Sequence, residues 1–147
     1  MMNKPDLNNR DNIEKQVRAF YKKVRKDDLL GPFFNQTITS EVEWEEHLLL
    51  LTSFWELNLL DVRGFNGNPG LAHQGVDKAF KHSITTNHFD RWVAIWKETI
   101  DEHFEGEKAE YAKMRATNMA KGMYKKVIDK RPGGFIIPGG ASGLSFG

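Results

Sequence analysis

The chain offers five imidazoles, at His47, His73, His82, His88 and His103, and no thiol. Without cysteine there is no disulfide, no thiolate zinc site, no iron–sulfur cluster and no cysteine nucleophile. No two histidines stand three or four apart on one helical run, so a paired helical metal site is not supported. Glycine-rich phosphate loops, a nucleophile elbow and the HExxH pattern are missing. Glu45-Glu46-His47 has no second histidine four positions on. Chemistry here must come from single side chains that different elements bring together.

Four residues qualify. His47 interrupts an apolar run and shares a helical face with Trp44, Leu51 and Phe54. An imidazole there needs a partner for its nitrogens, and a core histidine satisfied by a neighbour is the plain alternative. His73 follows a Gly/Pro loop on a short element, where an exposed loop histidine is the plain alternative. Tyr21 and Trp92 fall on the apolar faces of their helices. Each has an apolar body and one donor that wants a use when buried, and each alone reads more often as plain core than as a ligand contact. Together they are four donors or ligands from four elements, surrounded by Phe34, Leu51, Phe54 and Trp55. That set suits a flat apolar cofactor with a metal at its centre. Haem iron commonly takes one protein imidazole and leaves its other face free. His73 and His47 lie on consecutive elements and could face each other across such a plane.

The elements that must position these residues read as helices. Asp11 and Glu14 have capping-box spacing. Ile13, Val17, Phe20, Tyr21 and Val24 then recur on one face as far as Lys26–Asp27. Leu29-Leu30-Gly31-Pro32 reads as a turn before Phe33-Phe34. Ser40 and Glu43 repeat the capping box ahead of a run from Val42 to Leu60 that is apolar nearly all round, so it should lie between other elements. Residues 61–70 hold three Gly, two Asn and a Pro and read as a loop. Residues 71–80 form a short helix bearing His73. Asn87 and Asp90 open another helix, with Phe89, Trp92, Val93, Trp96 and Ile100 inward, ending at Gly106. Residues 107–130 make the last helix, with Tyr111, Met114, Met119, Met123 and Val127 inward, and Pro132-Gly133-Gly134 stops it. No strand pattern, repeat or heptad appears. The expected architecture is all-α: a flexible segment over 1–10, one helical domain over 11–130 and a Gly-rich flexible tail over 131–147.

Bulk composition narrows the partners. The 21 Lys and Arg nearly balance the 20 Asp and Glu, which argues against a nucleic-acid binder acting through a broad basic surface. The first residues hold no apolar signal-like stretch, and no run of about 18 apolar residues could span a membrane. The expectation is a cytoplasmic protein with neither nucleic acid nor membrane as partner. Aromatic residues make up 12% of the chain, enough to enclose something flat or simply to pack a core.

Several segments, in order and spacing, resemble group III truncated haemoglobins. They are Phe20-Tyr21-Lys22-Lys23-Val24-Arg25, Leu30-Gly31-Pro32-Phe33-Phe34-Asn35, Trp44-Glu45-Glu46-His47 and Phe54-Trp55. Phe65-Asn66-Gly67-Asn68-Pro69 leading to Ala72-His73, and His88-Phe89-Asp90-Arg91-Trp92, complete the set. The resemblance covers roughly residues 12–127. It implies a two-over-two helical sandwich around haem b, with His73 as the proximal iron ligand. By the same match Tyr21, His47 and Trp92 are the distal polar residues and Phe34 packs against the porphyrin. The stretch from Gln74 to Thr86 is longer than its counterpart, which leaves His82 as a rival ligand, and the tail after Lys130 has no counterpart. Arg63, Lys78 and Lys81 are candidates for the propionates.

The implied function is tight binding of O₂ and other diatomic ligands, with redox or detoxifying chemistry on O₂, nitric oxide or peroxide. Nitric oxide dioxygenation or a peroxidase-like reaction would draw on an external reductase, and oxygen transport suits slow release less well. The alternative is a haem-free helical module that holds an apolar ligand or a partner helix.

Overall fold

The computed structural model describes residues 3–63 and 85–129, the last four by their backbone alone. The short helix expected over 71–80, with His73 and Lys78, lies outside the described residues, as does Lys81. So do His82 and the tail over 131–147.

Helix α1 spans Arg10–Lys26. Its N-cap is Asn9, whose side-chain oxygen accepts from the Asn12 amide at 2.9 Å. The Asp11/Glu14 reading is thus displaced by two residues, because Asn9 holds the extended backbone that a cap requires. Ile13, Val17, Phe20, Tyr21 and Val24 form its buried face as the spacing predicts.

Where a turn was expected, the chain makes a short helix, α2, over Gly31–Thr37. Pro32 sits in its first turn, where a missing N–H costs nothing. The Asp27 carboxylate builds the corner by accepting from the Leu29 and Leu30 amides at 3.1 and 3.0 Å. Helices α1 and α2 meet closely: a Cβ on Gly31 would stand 2.9 Å from the Arg25 carbonyl oxygen. Asn35 Nδ2 donates to that same carbonyl at 2.9 Å.

Helix α3 spans Glu41–Leu60, and the Ser40 hydroxyl accepts from the Glu43 amide at 3.1 Å, as the capping spacing predicts. Trp44, His47, Leu51, Thr52, Trp55 and Leu59 are its buried residues. Val42 and Leu49 are exposed, so α3 is not enclosed on all sides as its composition suggested.

Helix α4 spans Thr86–His103 and is capped by Thr85 rather than Asn87. The Thr85 amide donates to His88 Nδ1 at 2.9 Å, which gives that histidine a capping role. Helix α5 spans Glu107–Asp129. Its buried stripe is Ala109, Ala112, Ala116, Ala120 and Met123, while Tyr111 and Met114 are exposed. Of the residues expected inward, Met123 is buried and Met119 half-buried, Tyr111 and Met114 face out, and the Val127 side chain lies outside the described residues. Small residues win because they let the α4 aromatics approach the backbone: Trp96 Nε1 donates to the Ala112 carbonyl at 3.3 Å.

The helices pack as two pairs, α1 on α3 and α4 on α5, and α1 lies against α4 to join them. This is the two-over-two arrangement, all-helical among the described residues. The chain start, expected to fray, is tied down over residues 4–9. Leu7 is buried, and the Asp6 carboxylate accepts from the Lys108 and Ala109 amides at 3.0 and 2.7 Å, capping α5. Among the described residues no helix is long and apolar enough to cross a membrane.

Candidate functional site

Three crossing helices and the short α2 bring the predicted polar residues together. Tyr21 of α1 lies with its ring centroid 4.9 Å from His47 of α3 and 5.5 Å from Phe34 of α2. Phe20, its chain neighbour, sits edge-on to Trp92 of α4 at 5.7 Å. Tyr21, His47, Trp92 and Phe34 are all buried. The helical periodicity that builds the core thus also aims these side chains at one place, since each sits on the apolar stripe of its own helix.

Two atoms of this cluster stand out. Tyr21 Oη and Trp92 Nε1 are buried, and neither finds an acceptor among the described residues. Burial pushes the Tyr21 hydroxyl well above the usual phenol range, while the Trp92 indole N–H beside it works in the opposite direction. The phenol is therefore protonated at neutral pH and able to donate. An indole N–H donates only. Buried polar atoms are nearly always satisfied, so two such donors side by side, without an acceptor among the described residues, mark this corner as a candidate binding point.

The remaining expected lining residues are placed differently from one another. Leu51 is buried beside His47 on the α3 stripe, and Phe54 is half-buried. Trp55 stacks on Trp96 with centroids 4.5 Å apart and planes 18° from parallel. Trp96 is in turn parallel to Trp92 at 6.4 Å. Trp44 flanks His47 at 5.5 Å and carries the Arg25 guanidinium 4.4 Å over its ring. Spacing had put Trp44 and His47 on one face, but nothing local to the sequence signalled the cation above the indole. Gln16 was also missed: it is fully buried and donates from Nε2 to the Trp96 carbonyl at 3.2 Å. Arg63 is exposed.

No protein-family model matches the chain. A curated relative, the group 3 truncated haemoglobin of Campylobacter jejuni, is 32% identical over 122 residues, covering 80% of this chain and 92% of the relative. The crystal structure of a group III truncated haemoglobin from Campylobacter jejuni superposes with a TM-score of 0.76 at 29% identity, over 88% of this chain and 98% of that one. The chain belongs to the group III truncated haemoglobins. In this truncated haemoglobin the family-like segments of the described region fall on the elements that converge: Phe20-Tyr21 on α1, Phe33-Phe34 on α2, Trp44 to His47 on α3 and Phe89 to Trp92 on α4. His73, the expected proximal ligand, lies outside the described residues.

Proposed function

We propose that this truncated haemoglobin carries haem b on His73 and binds O₂ and other diatomic ligands in a pocket whose distal donors are Tyr21, His47 and Trp92. Family membership supports the cofactor. The observation that carries the pocket assignment is the pair of buried, unsatisfied donors at Tyr21 Oη and Trp92 Nε1. That donor set, walled by Phe34 and Leu51, fits a flat apolar group presenting a polar ligand at its centre. Phe54 and Trp55 belong to the same proposed wall. When bound, haem supplies an iron that takes one imidazole from the protein and a gas ligand on its other face.

The chain's own residues do the rest. Tyr21 keeps its proton because burial raises its pKa, so it donates to a ligand that carries partial negative charge. Trp92 adds a second donor that cannot switch to accepting. His47, held edge-on between Tyr21 and Trp44, closes the same side of the pocket. The surrounding aromatics exclude water, which strengthens each hydrogen bond. A hydrogen bond to a charged acceptor contributes roughly 1.5–3 kcal/mol, which slows ligand release by about ten- to more than a hundredfold. Slow release favours redox chemistry, nitric oxide dioxygenation or a peroxide reaction fed by an external reductase, over simple carriage.

The test has two steps. Purified protein should show a Soret band that His73→Ala removes while the far-UV helical signal stays. Tyr21→Phe should then speed O₂ release at least about tenfold. A colourless protein made with ample haem supports the apolar-ligand module instead. Unchanged O₂ release removes Tyr21 from its role. Stopped-flow consumption of nitric oxide by the O₂-loaded protein, with and without a reductase, separates dioxygenation from carriage.

A further inference from the structure

Adjoining the cluster at Tyr21, between α1 and the α2–α3 segment, lies a half-open groove of about 630 Å³. That size is within the roughly 300–1,000 Å³ of small-molecule sites. One wall is cationic: Arg18, Lys22, Arg25 and Lys26 all line it. These positions follow i, i+4, i+7 and i+8 spacing, so they form a single stripe of α1. The opposite wall is apolar, made by Trp44 and Leu48 of α3. Among the described residues no acidic side chain lines the groove.

The cations are not equally occupied. Arg18 is held by Glu14 and Glu45 and is neutralised. Arg25 lies over the Trp44 ring and reaches Glu41 only at 3.7 Å. Lys22 and Lys26 are exposed and make no ion pair among the described residues. Like charges four apart oppose the helix they sit on. The negative end of the helix dipole favours Arg25 and Lys26 in the last turn, but its reach does not extend to Lys22 or Arg18. A stripe that works against its own helix, facing an indole across a groove, matches an anion with an apolar body.

We propose that this groove binds a small planar organic anion of the aromatic carboxylate class. Its charged group meets Lys22, Lys26 and Arg25, and its ring lies along Trp44 and Leu48. Tyr21 lines the groove as well as the buried cluster, so an occupant there touches the residue that the proposed distal site depends on. The proposal does not rest on the haem reading, since binding is measured directly.

The test is calorimetric titration of the full chain, as purified, with naphthoate. Neutral naphthalenemethanol and inorganic phosphate serve as the apolar-only and charge-only arms. Saturable one-site naphthoate binding is expected, weakening with added salt. In a Lys22→Gln/Lys26→Gln variant the affinity should fall at least about tenfold, one charge-assisted contact's worth. Both lysines are exposed, so that variant keeps the fold. Trp44→Phe should weaken naphthoate but leave phosphate unaffected. No saturable binding in the millimolar range overturns the proposal. So does binding that ignores the lysine substitutions, or phosphate or naphthalenemethanol binding as tightly as naphthoate.

Discussion

Removing one oxygen atom should have opposite effects in two states of this protein. In Tyr21→Phe the ring stays, with its edge contacts to Phe20 at 4.7 Å, Phe34 at 5.5 Å and His47 at 4.9 Å. What goes is a buried hydroxyl with no hydrogen-bond partner among the described residues. Holding such a group away from water costs about 1–3 kcal/mol in protein mutational data. The void left by one oxygen is smaller than a methyl group and costs under about 1 kcal/mol. The difference predicts that the full chain, stripped of haem, gains about 1 kcal/mol from the substitution. With a urea slope of roughly 1–3 kcal/mol/M for a small domain, the midpoint should rise by about half a molar at unchanged slope. The same substitution should accelerate ligand release from the haem-loaded protein, because there the hydroxyl has an acceptor. A midpoint that falls refutes the reasoning, since the hydroxyl would then be a satisfied structural group. A raised midpoint with unchanged ligand release keeps the idle hydroxyl but removes its use.

Other perturbations test the frame that holds the site. Asp6→Ala removes the acceptor for the Lys108 and Ala109 amides and should lower stability by about 1–2 kcal/mol, visible as a drop of several degrees in Tm. Gly106→Ala should destabilise by a similar or larger amount, because its φ is +130° and the new Cβ would stand 2.5 Å from Asp6 Cγ; thermal unfolding checks it. Burial works to raise the Asp27 pKa, but the hydrogen bond from Arg91 and the amides of Leu30 and Leu29 hold it below the ordinary carboxylate value. A depressed pKa contributes stability that is present above the unfolded value near 3.8 and lost as pH falls through the folded one. Asp27→Asn should therefore flatten the acid limb of stability below about pH 4 while lowering stability at neutral pH, as urea midpoints across pH 2–7 would show.

Much of the site was legible because its donors occupy core positions. Tyr21, His47 and Trp92 fall on the apolar stripes of α1, α3 and α4, so the 3.6-residue period that assigns a helix face also selects them. The start of the chain was not legible. Asp6 and Leu7 look like polar leader and stray apolar residue until α5 presents its free amides about a hundred residues away. The inward face of α5 misled for a related reason. The expected face puts Tyr111 and Met114 inside along with Met123, but only Met123 is buried, because the partner helix brings Trp96 up to the α5 backbone and alanines fill that stretch. Size on one helix is decided by size on the other, and a single helix's pattern does not contain that information.

The four tryptophans show how far the two demands, packing and chemistry, can be separated. Trp55 and Trp96 stack within 4.5 Å, and Trp96 spends its indole N–H on the Ala112 carbonyl. Trp92 lies parallel in the same column, yet its N–H is idle and adjoins the Tyr21 hydroxyl. Trp44 instead takes the Arg25 cation on its face. From sequence Trp92 reads as a candidate donor, Trp55 as part of its aromatic surround, and Trp44 and Trp96 as residues of apolar helix faces. The hydrogen bonds of the two α4 indoles separate them: Trp96 has its acceptor, and Trp92 has none among the described residues. If stacking alone explained that position, a phenylalanine there would serve the core nearly as well. That N–H beside a buried hydroxyl, neither with an acceptor among the described residues, is the reason to propose ligand binding for the end of the column at Trp92, while Trp96 serves packing and Trp55 both stacks on it and adjoins the proposed pocket wall.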